Sequence, residues 1–325
     1  MAIMGDDRVK RAALIYNPIK VNAPSLRQKV LHYSDAAGWA TPLFHETTID
    51  DLGQAATATA LAEGADAVLV AGGDGTVRAV AATVMETGIP LTIVPSGTGN
   101  VLARNLKLPL TDPDAVIASA FGGPRRAIDI GTAHITRADG STEDEAFVVM
   151  AGIGLDAAMI ANTRAHLKRR IGWVAYVDGA ARSLSTARPF RAVYQLDTHR
   201  LHTARVHSIL YTNCGTLPAG IELVPDASLD DGVLDVALFQ PTGWFGWLGV
   251  WRKVWWDNTV LRRTRAGRRI VERRTNASVH YLRGTEIETA PVHPQPIELD
   301  GDEFGEAARM LCRIVPGGLL VTLPR

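Results

Sequence analysis

From Ala12 to about Phe121, short β-branched and aliphatic runs alternate with stretches whose apolar positions recur every three or four residues. This rhythm predicts a parallel sheet with crossover helices. Ala13–Tyr16 reads as a first strand ending at Asn17-Pro18, and Ser25–Gly38 as a helix with an N-cap and a closing glycine. Ala67–Ala71 and Leu91–Val94 read as strands, Val77–Met85 as a helix, and a further helix starts near Asn100.

After Arg126 the pattern changes. Ala146–Met150, Phe190–Leu196, Arg205–Thr212 and Val233–Phe239 read as strands without regular helices between them, which predicts a second, mainly antiparallel β domain. The expected division is 1–126 for an α/β domain and 127–310 for a β domain. The closing runs Leu311–Val315 and Leu319–Leu323 either belong to the second domain or pair back onto the first, so that 311–325 completes it.

The most informative chemistry lies where two strands end. Val68-Leu69-Val70-Ala71 runs into Gly72-Gly73-Asp74-Gly75-Thr76, and Leu91-Thr92-Ile93-Val94 runs into Pro95-Ser96-Gly97-Thr98-Gly99-Asn100. Glycines let a backbone turn tightly and bring its N–H groups close to phosphate oxygens, and a helix start adds partial positive charge. Asp74 can help to hold Mg²⁺. Two such turns at one end of neighbouring strands form the crevice in which open α/β sheets bind nucleotides; taken singly, each could be no more than a tight strand-to-helix turn.

Composition bounds the partners. The chain has 325 residues, 46% of them hydrophobic, enough for two cores. Lys+Arg and Asp+Glu are each 34, so no whole-molecule field steers it toward nucleic acid. The two cysteines, Cys214 and Cys312, lack zinc-site spacing and fit a reduced, cytoplasmic setting. The first eleven residues hold five charges, unlike a secretory signal, and no apolar run reaches the roughly 18 residues of a spanning helix.

These motifs, with Ile128-Asp129-Ile130-Gly131, Ala151-Gly152-Ile153-Gly154-Leu155-Asp156, Pro225-Asp226-Ala227-Ser228-Leu229-Asp230-Asp231-Gly232 and Leu299-Asp300-Gly301-Asp302, stand in the order of a known family. The chain resembles the diacylglycerol kinase catalytic-domain lipid kinases, which include sphingosine kinases and bacterial soluble lipid kinases. The resemblance implies an NAD kinase-like α/β nucleotide-binding domain, a C-terminal β-sandwich, and an active site in the cleft between them. It implies ATP and Mg²⁺ as cofactors and a lipid alcohol such as diacylglycerol as acceptor. Asn17, Gly72, Gly73, Asp74, Gly75 and Thr76 would meet ATP, Ser96, Gly97, Thr98, Gly99 and Asn100 would wrap its phosphates, and Asp302 would be the general base.

Three departures bear on those roles. The family's closing motif commonly ends in glutamate, whereas this chain has Asp302 followed by Glu303, and either carboxylate is able to accept a hydroxyl proton. Lys20 stands in the first loop where a glycine is common, and is either a phosphate contact or a solvated loop lysine. Val101 replaces an aspartate that many relatives carry. Asp226, Asp230 and Asp231, crowded beside Gly232, are in the family associated with a structural Mg²⁺; alone they read equally as an acidic turn. Asp129 either faces the site or caps a strand end.

Trp244, Phe245, Trp247, Leu248, Trp251, Val254 and Trp255 share one helical face, and Arg262, Arg263, Arg265, Arg268, Arg269, Arg273 and Arg274 follow, with Lys168-Arg169-Arg170 as a further basic group. The stripe is core or a lipid-facing border; the arginines are a solvated face or a peripheral contact with an anionic inner membrane surface. No nucleic-acid reading motif accompanies them. Gly152-Ile153-Gly154-Leu155-Asp156-Ala157 mimics a dinucleotide fingerprint but lacks the ribose-binding acid about 20 residues on. There is no P-loop lysine motif. An NAD kinase-like enzyme with a non-lipid acceptor and a regulator that has lost turnover are the rival readings, and a homodimer is left open.

Overall fold

The computed structural model describes residues 8–154, 189–217, 221–222, 224, 227–240 and 279–325. In chain order the elements are β1 (Arg11–Tyr16), α1 (Ala23–Ala36), β2 (Ala40–Glu46), α2 (Gln54–Ala62), β3 (Ala67–Gly72), α3 (Asp74–Val84), β4 (Leu91–Pro95), α4 (Val101–Asn105) and α5 (Pro113–Ser119). They continue with β5 (Arg125–Thr136), β6 (Thr142–Phe147), β7 (Met150–Ile153), β8 (Phe190–Leu196), β9 (His202–Val206), β10 (Ser208–Thr212), β11 (Thr216–Leu217) and β12 (Ile221–Glu222). The last are β13 (Leu234–Phe239), β14 (Val279–Gly284), β15 (Glu286–Pro291), β16 (Gln295–Leu299), β17 (Asp302–Ala307) and β18 (Arg309–Thr322). The chain divides into one compact unit of Met1–Ile128 with Gly317–Arg325 and another of Asp129–Pro316.

The first unit is an α/β layer structure. Its strands run parallel in the order β2-β1-β3-β4, and the end of β18 adds a further parallel strand through Val321 beside Leu91. All six residues of β3 are buried, as expected of a central parallel strand covered on both faces. Leu14, Tyr16, Leu69 and Ala71 pack with Leu26, Val30, Val116 and Ile117 from α1 and α5. The hydroxyls of Thr92 and Thr322 meet at 2.5 Å within that interior.

In the first unit β2, α2 and α5 escape the sequence reading. β2 carries Thr41, Pro42 and His45 among its apolar residues, and α2 is an alanine-threonine helix whose alternation is too weak to stand out. α1 starts at Ala23, ahead of Ser25, because the Asn22 carboxamide accepts the Ser25 N–H at 3.1 Å.

The second unit is a sandwich of β-sheets. One sheet runs β14-β13-β10-β7-β16-β17, all antiparallel; the other holds β18, β15, β8 and β9 in that order, with β5 pairing β18 and β6. Ile153, Ile209, Tyr211, Val236, Ile287, Ile297, Met310 and Cys312 pack into a common core. Tyr211 donates its phenolic proton to Thr289 Oγ1 at 2.7 Å, joining one sheet to the other. β18 passes from this unit into the first as one strand, so its two halves serve both domains.

The run Ala146–Met150 is not a single strand. β6 ends at Phe147, Val148 and Val149 turn, and β7 begins at Met150. The cause is a carboxylate that the chain delivers from far downstream, described below.

Candidate active site

In the first unit the carboxyl ends of β1, β3 and β4 lie side by side. Asn17 donates its N–H to Ala71 O at 2.9 Å, and Gly72 is in register with Pro95. α3 begins at Asp74, three residues before the expected start, so Gly75 and Thr76 belong to its first turn. Glycine is a poor helix former, which hides this turn from periodicity. Gly73 caps the helix in extended backbone, and Asp74 places negative charge at its amino end.

Asp74 is also the tie between the two glycine motifs. Its Oδ2 accepts the Asn100 N–H at 3.1 Å and its Oδ1 the Val101 N–H at 2.7 Å, which caps the start of α4. Asn100 sits in the left-handed region at φ 47°. Its side chain closes the second loop reciprocally, accepting from Gly97 N and donating to Gly97 O, each at 2.8 Å. Arg104 Nε donates to Gly99 O at 2.8 Å, a clamp that sequence reasoning missed.

The glycines have separate reasons. A Cβ on Gly72 would strike Thr76 at 2.6 Å, one on Gly97 would stand 3.0 Å from Gly73 Cα, and one on Gly99 would be 2.4 Å from Asp74 Oδ2. At Gly73 a Cβ would meet nothing within 4 Å. Bare backbone beside open space at a helix start is what a phosphate group needs, so the first unit fits a nucleotide polyphosphate. The Asp74 carboxylate supplies hard oxygen ligands of the kind that Mg²⁺ or its water shell takes.

The other residues expected here are more loosely engaged. Ser96 Oγ turns back to Val94 O at 2.9 Å, and Thr98 is exposed. Asn17 Oδ1 accepts the Ile19 N–H at 3.0 Å in a turn that leaves Lys20 exposed.

In the second unit the remaining motifs gather around Val148–Met150. Asp300 and Gly301, both at positive φ, form the two-residue turn between β16 and β17. Asp300 Oδ2 accepts Val148 N at 2.8 Å, and Oδ1 accepts Val149 N and Met150 N at 2.8 and 2.9 Å. Asn213 donates from Nδ2 to Val148 O and to Asp129 O, at 3.1 and 2.8 Å. Buried Asp129 accepts the Gly232 N–H on Oδ2 at 2.7 Å. Motifs remote in sequence thus share one hydrogen-bonded turn, and Asp300 and Asn213 are its organisers.

The two candidate bases are distinguished by strand register. Asp302 lies opposite Leu299 and Glu303 opposite Glu298, so consecutive side chains fall on opposite faces of β17. Asp302 is half-buried on the side of Leu299, a core residue, whereas Glu303 is exposed. Glu298 is buried, and burial pushes its carboxyl up to about 7, with the Asp300 charge adding to the rise. Burial and the same Asp300 charge push the Cys214 thiol up.

The acidic run near Gly232 disperses over several partners. Asp231 accepts Val233 N at 3.1 Å and Arg283 at 2.6 Å, and Asp230 accepts the Ser228 hydroxyl at 2.8 Å. Asp226 lies outside the described residues, as do the tryptophan stripe, the arginine run after it and Lys168-Arg169-Arg170. Among the described residues no group of three or more His, Cys, Asp or Glu is arranged to hold a metal. Gly152 stands within antiparallel β7, where a Cβ would press on Glu298 and Leu210 at 3.1 Å. That glycine makes room for side chains, and its strand is not the opening strand of a dinucleotide-binding βαβ unit.

Comparison with known proteins covers both units. Residues 11–133 match the Diacylglycerol kinase catalytic domain, and residues 148–323 match the YegS C-terminal NAD kinase beta sandwich-like domain. The chain belongs to the diacylglycerol kinase-type lipid kinase family. It is 29% identical to a diacylglycerol kinase of Bacillus subtilis over 71% of this chain and 74% of that protein. A diacylglycerol kinase of Mycobacterium tuberculosis is 33% identical over 56% of this chain and 58% of its own length. A putative diacylglycerol kinase structure from Bacillus anthracis has the same fold, with a TM-score of 0.73 at 19% identity over 99% and 98% of the two chains. Yeast NADH kinase complexed with NADH superposes at 0.52 and 8% identity over 98% and 85%.

Membership in this lipid kinase family makes the chain a phosphotransferase and implies ATP as donor. The N-terminal α/β domain and the C-terminal antiparallel sandwich are the architecture that the sequence predicts. Among the described residues no helix is long and apolar enough to cross a membrane.

Proposed function

We propose that this lipid kinase transfers the γ-phosphoryl group of ATP to the hydroxyl of diacylglycerol or a related lipid alcohol. The Asp74 tie carries the reading: it joins two glycine turns so that their bare backbones meet at one strand edge, next to the open space at Gly73. Names among the curated relatives support a lipid acceptor.

In this reading the unit of Met1–Ile128 with Gly317–Arg325 binds ATP, and the unit of Asp129–Pro316 binds the lipid. The N–H groups of Gly73 and Gly99 hold phosphate oxygens, and Asn17, Lys20, Gly72, Gly75, Thr76, Ser96, Gly97, Thr98 and Asn100 complete the pocket. Bound Mg²⁺, held through Asp74, would neutralise charge that grows on the transferring group. Asp302 accepts the hydroxyl proton. A loose transition state asks for little early deprotonation, so the position of this carboxylate matters more than its basicity.

Incubation with [γ-³²P]ATP, Mg²⁺ and a panel of lipid alcohols tests the proposal. Label entering an organic-extractable product supports it. Label that enters NAD instead, or no transfer to any lipid in the panel, overturns it.

A further inference from the structure

β8 and β9 form an antiparallel ribbon at the edge of one sandwich sheet, with Arg191 in register with Arg205. Phe190, Ala192, Ala204 and Val206 point into the core, so Arg191 and Arg205 stand together on the opposite, solvent face. Like charges placed directly opposite each other destabilise a strand pair. Elsewhere on this sheet arginines have acids: Arg309 pairs with Glu288, and Arg313 with Glu286 at 2.7 Å. Arg191 and Arg205 have no carboxylate partner among the described residues.

The surroundings repeat the asymmetry. Residues 189–207 and 289–295 carry Arg191, Arg200 and Arg205 and one acid, Asp197, in a chain whose net charge is zero. Asp197 is committed to the amides of Thr285 and Glu286 and the Thr285 hydroxyl. Leu201 and Val292 flank the ribbon and are 67% and 61% exposed. Beside Arg191 lies a cavity of about 460 Å³ bordered by Phe190, Val292, His293 and Gln295. Uncompensated cations with exposed apolar side chains at their margin complement a surface of anionic headgroups over acyl chains.

We infer that the β8–β9 ribbon, through Arg191 and Arg205, is a docking surface for an anionic lipid bilayer. The inference rests on the lipid kinase reading for its biological purpose, whereas its test uses vesicles that contain no acceptor lipid. Sedimentation is measured with phosphatidylcholine vesicles, with and without about 30% phosphatidylglycerol. The wild-type chain should prefer the anionic vesicles and lose the preference in high salt. R191Q/R205Q should lower partitioning about 25-fold, and R191E/R205E at least as much, with neither thermal midpoint lowered. The reversal K107E/R125E, in the other unit, should leave it unchanged. Wild-type partitioning of both ribbon variants, an equal loss in K107E/R125E, or no anionic preference at all would each overturn the inference. Kinase turnover on diacylglycerol dispersed in neutral detergent micelles is read separately. Its absence would defeat the lipid kinase proposal and leave the vesicle result standing.

Discussion

Asp74 accepts the N–H of Val101 at 2.7 Å, so the first residue of one helix caps the first residue of another. A second bond to Asn100 draws the loop before α4 against the turn before α3. Asp74→Ala removes a charged acceptor from two amides and should destabilise the chain by about 2–3 kcal/mol. Thermal denaturation and calorimetric titration with a non-hydrolysable ATP analogue should show both losses together. Unchanged affinity in a folded variant would exclude the tie from nucleotide binding.

Gly73 and Gly99 separate folding from binding. Gly73 has φ −85° and ψ 179°, an extended backbone open to any residue, with free space where a Cβ would go. Gly73→Ala should therefore keep the wild-type melting temperature yet weaken ATP binding at least about tenfold, a loss near 1.4 kcal/mol. In Gly99→Ala the new methyl would displace the Asp74 carboxylate, and stability and binding should fall together. A Gly73→Ala chain with normal ATP affinity would place the phosphates elsewhere.

Asp302 and Glu303 should behave differently because strand alternation puts them on opposite faces. Asp302→Asn is expected to lose most turnover and to retain ATP binding, while Glu303→Gln keeps a near wild-type rate. Initial rates at saturating ATP decide between them. The reverse pattern would move the base to Glu303.

Glu298 gives the chain a pH signature. Its carboxyl is neutral in the fold up to about pH 7 but ionises near 4.5 when unfolded. The folded state thus binds the extra proton between these values, and its contribution to stability is full below about 4.5 and is lost as pH rises through 7. Glu298→Gln should flatten that dependence and stabilise the chain at pH 8 by up to about 3 kcal/mol, with little effect at pH 4. Urea unfolding at both values measures it. Parallel pH profiles for the two chains would refute the assignment.

Asp300 holds three consecutive amides, and Asp300→Ala should cost about 3 kcal/mol or more, with Asp300→Asn less damaging because it keeps one acceptor oxygen. Hydrogen exchange at Val148, Val149 and Met150 should accelerate in both variants. Retained protection in Asp300→Ala would mean that the turn does not depend on this carboxylate.

The alternation of apolar runs, the glycines at the two strand ends and the change of texture after Arg126 are local features, and each follows from steric and burial demands on a few neighbouring residues. From these the sequence alone determined an α/β domain with two glycine turns at its strand ends, followed by a mainly β domain. The start of α3 and the weak strand β2 were hidden, since glycine and polar substitutions erase the periodicity that marks an element. Only the tertiary structure decided that Asp74 would fasten one loop to the other, or that Ala146–Met150 would break at a turn held by Asp300, 150 to 152 residues away. Only the pairing of β16 with β17 separates Asp302 from Glu303, and only that of β8 with β9 sets two arginines side by side. Hydrogen bonds and strand registers of this length depend on where distant segments come to rest, and nothing in the neighbouring residues encodes them.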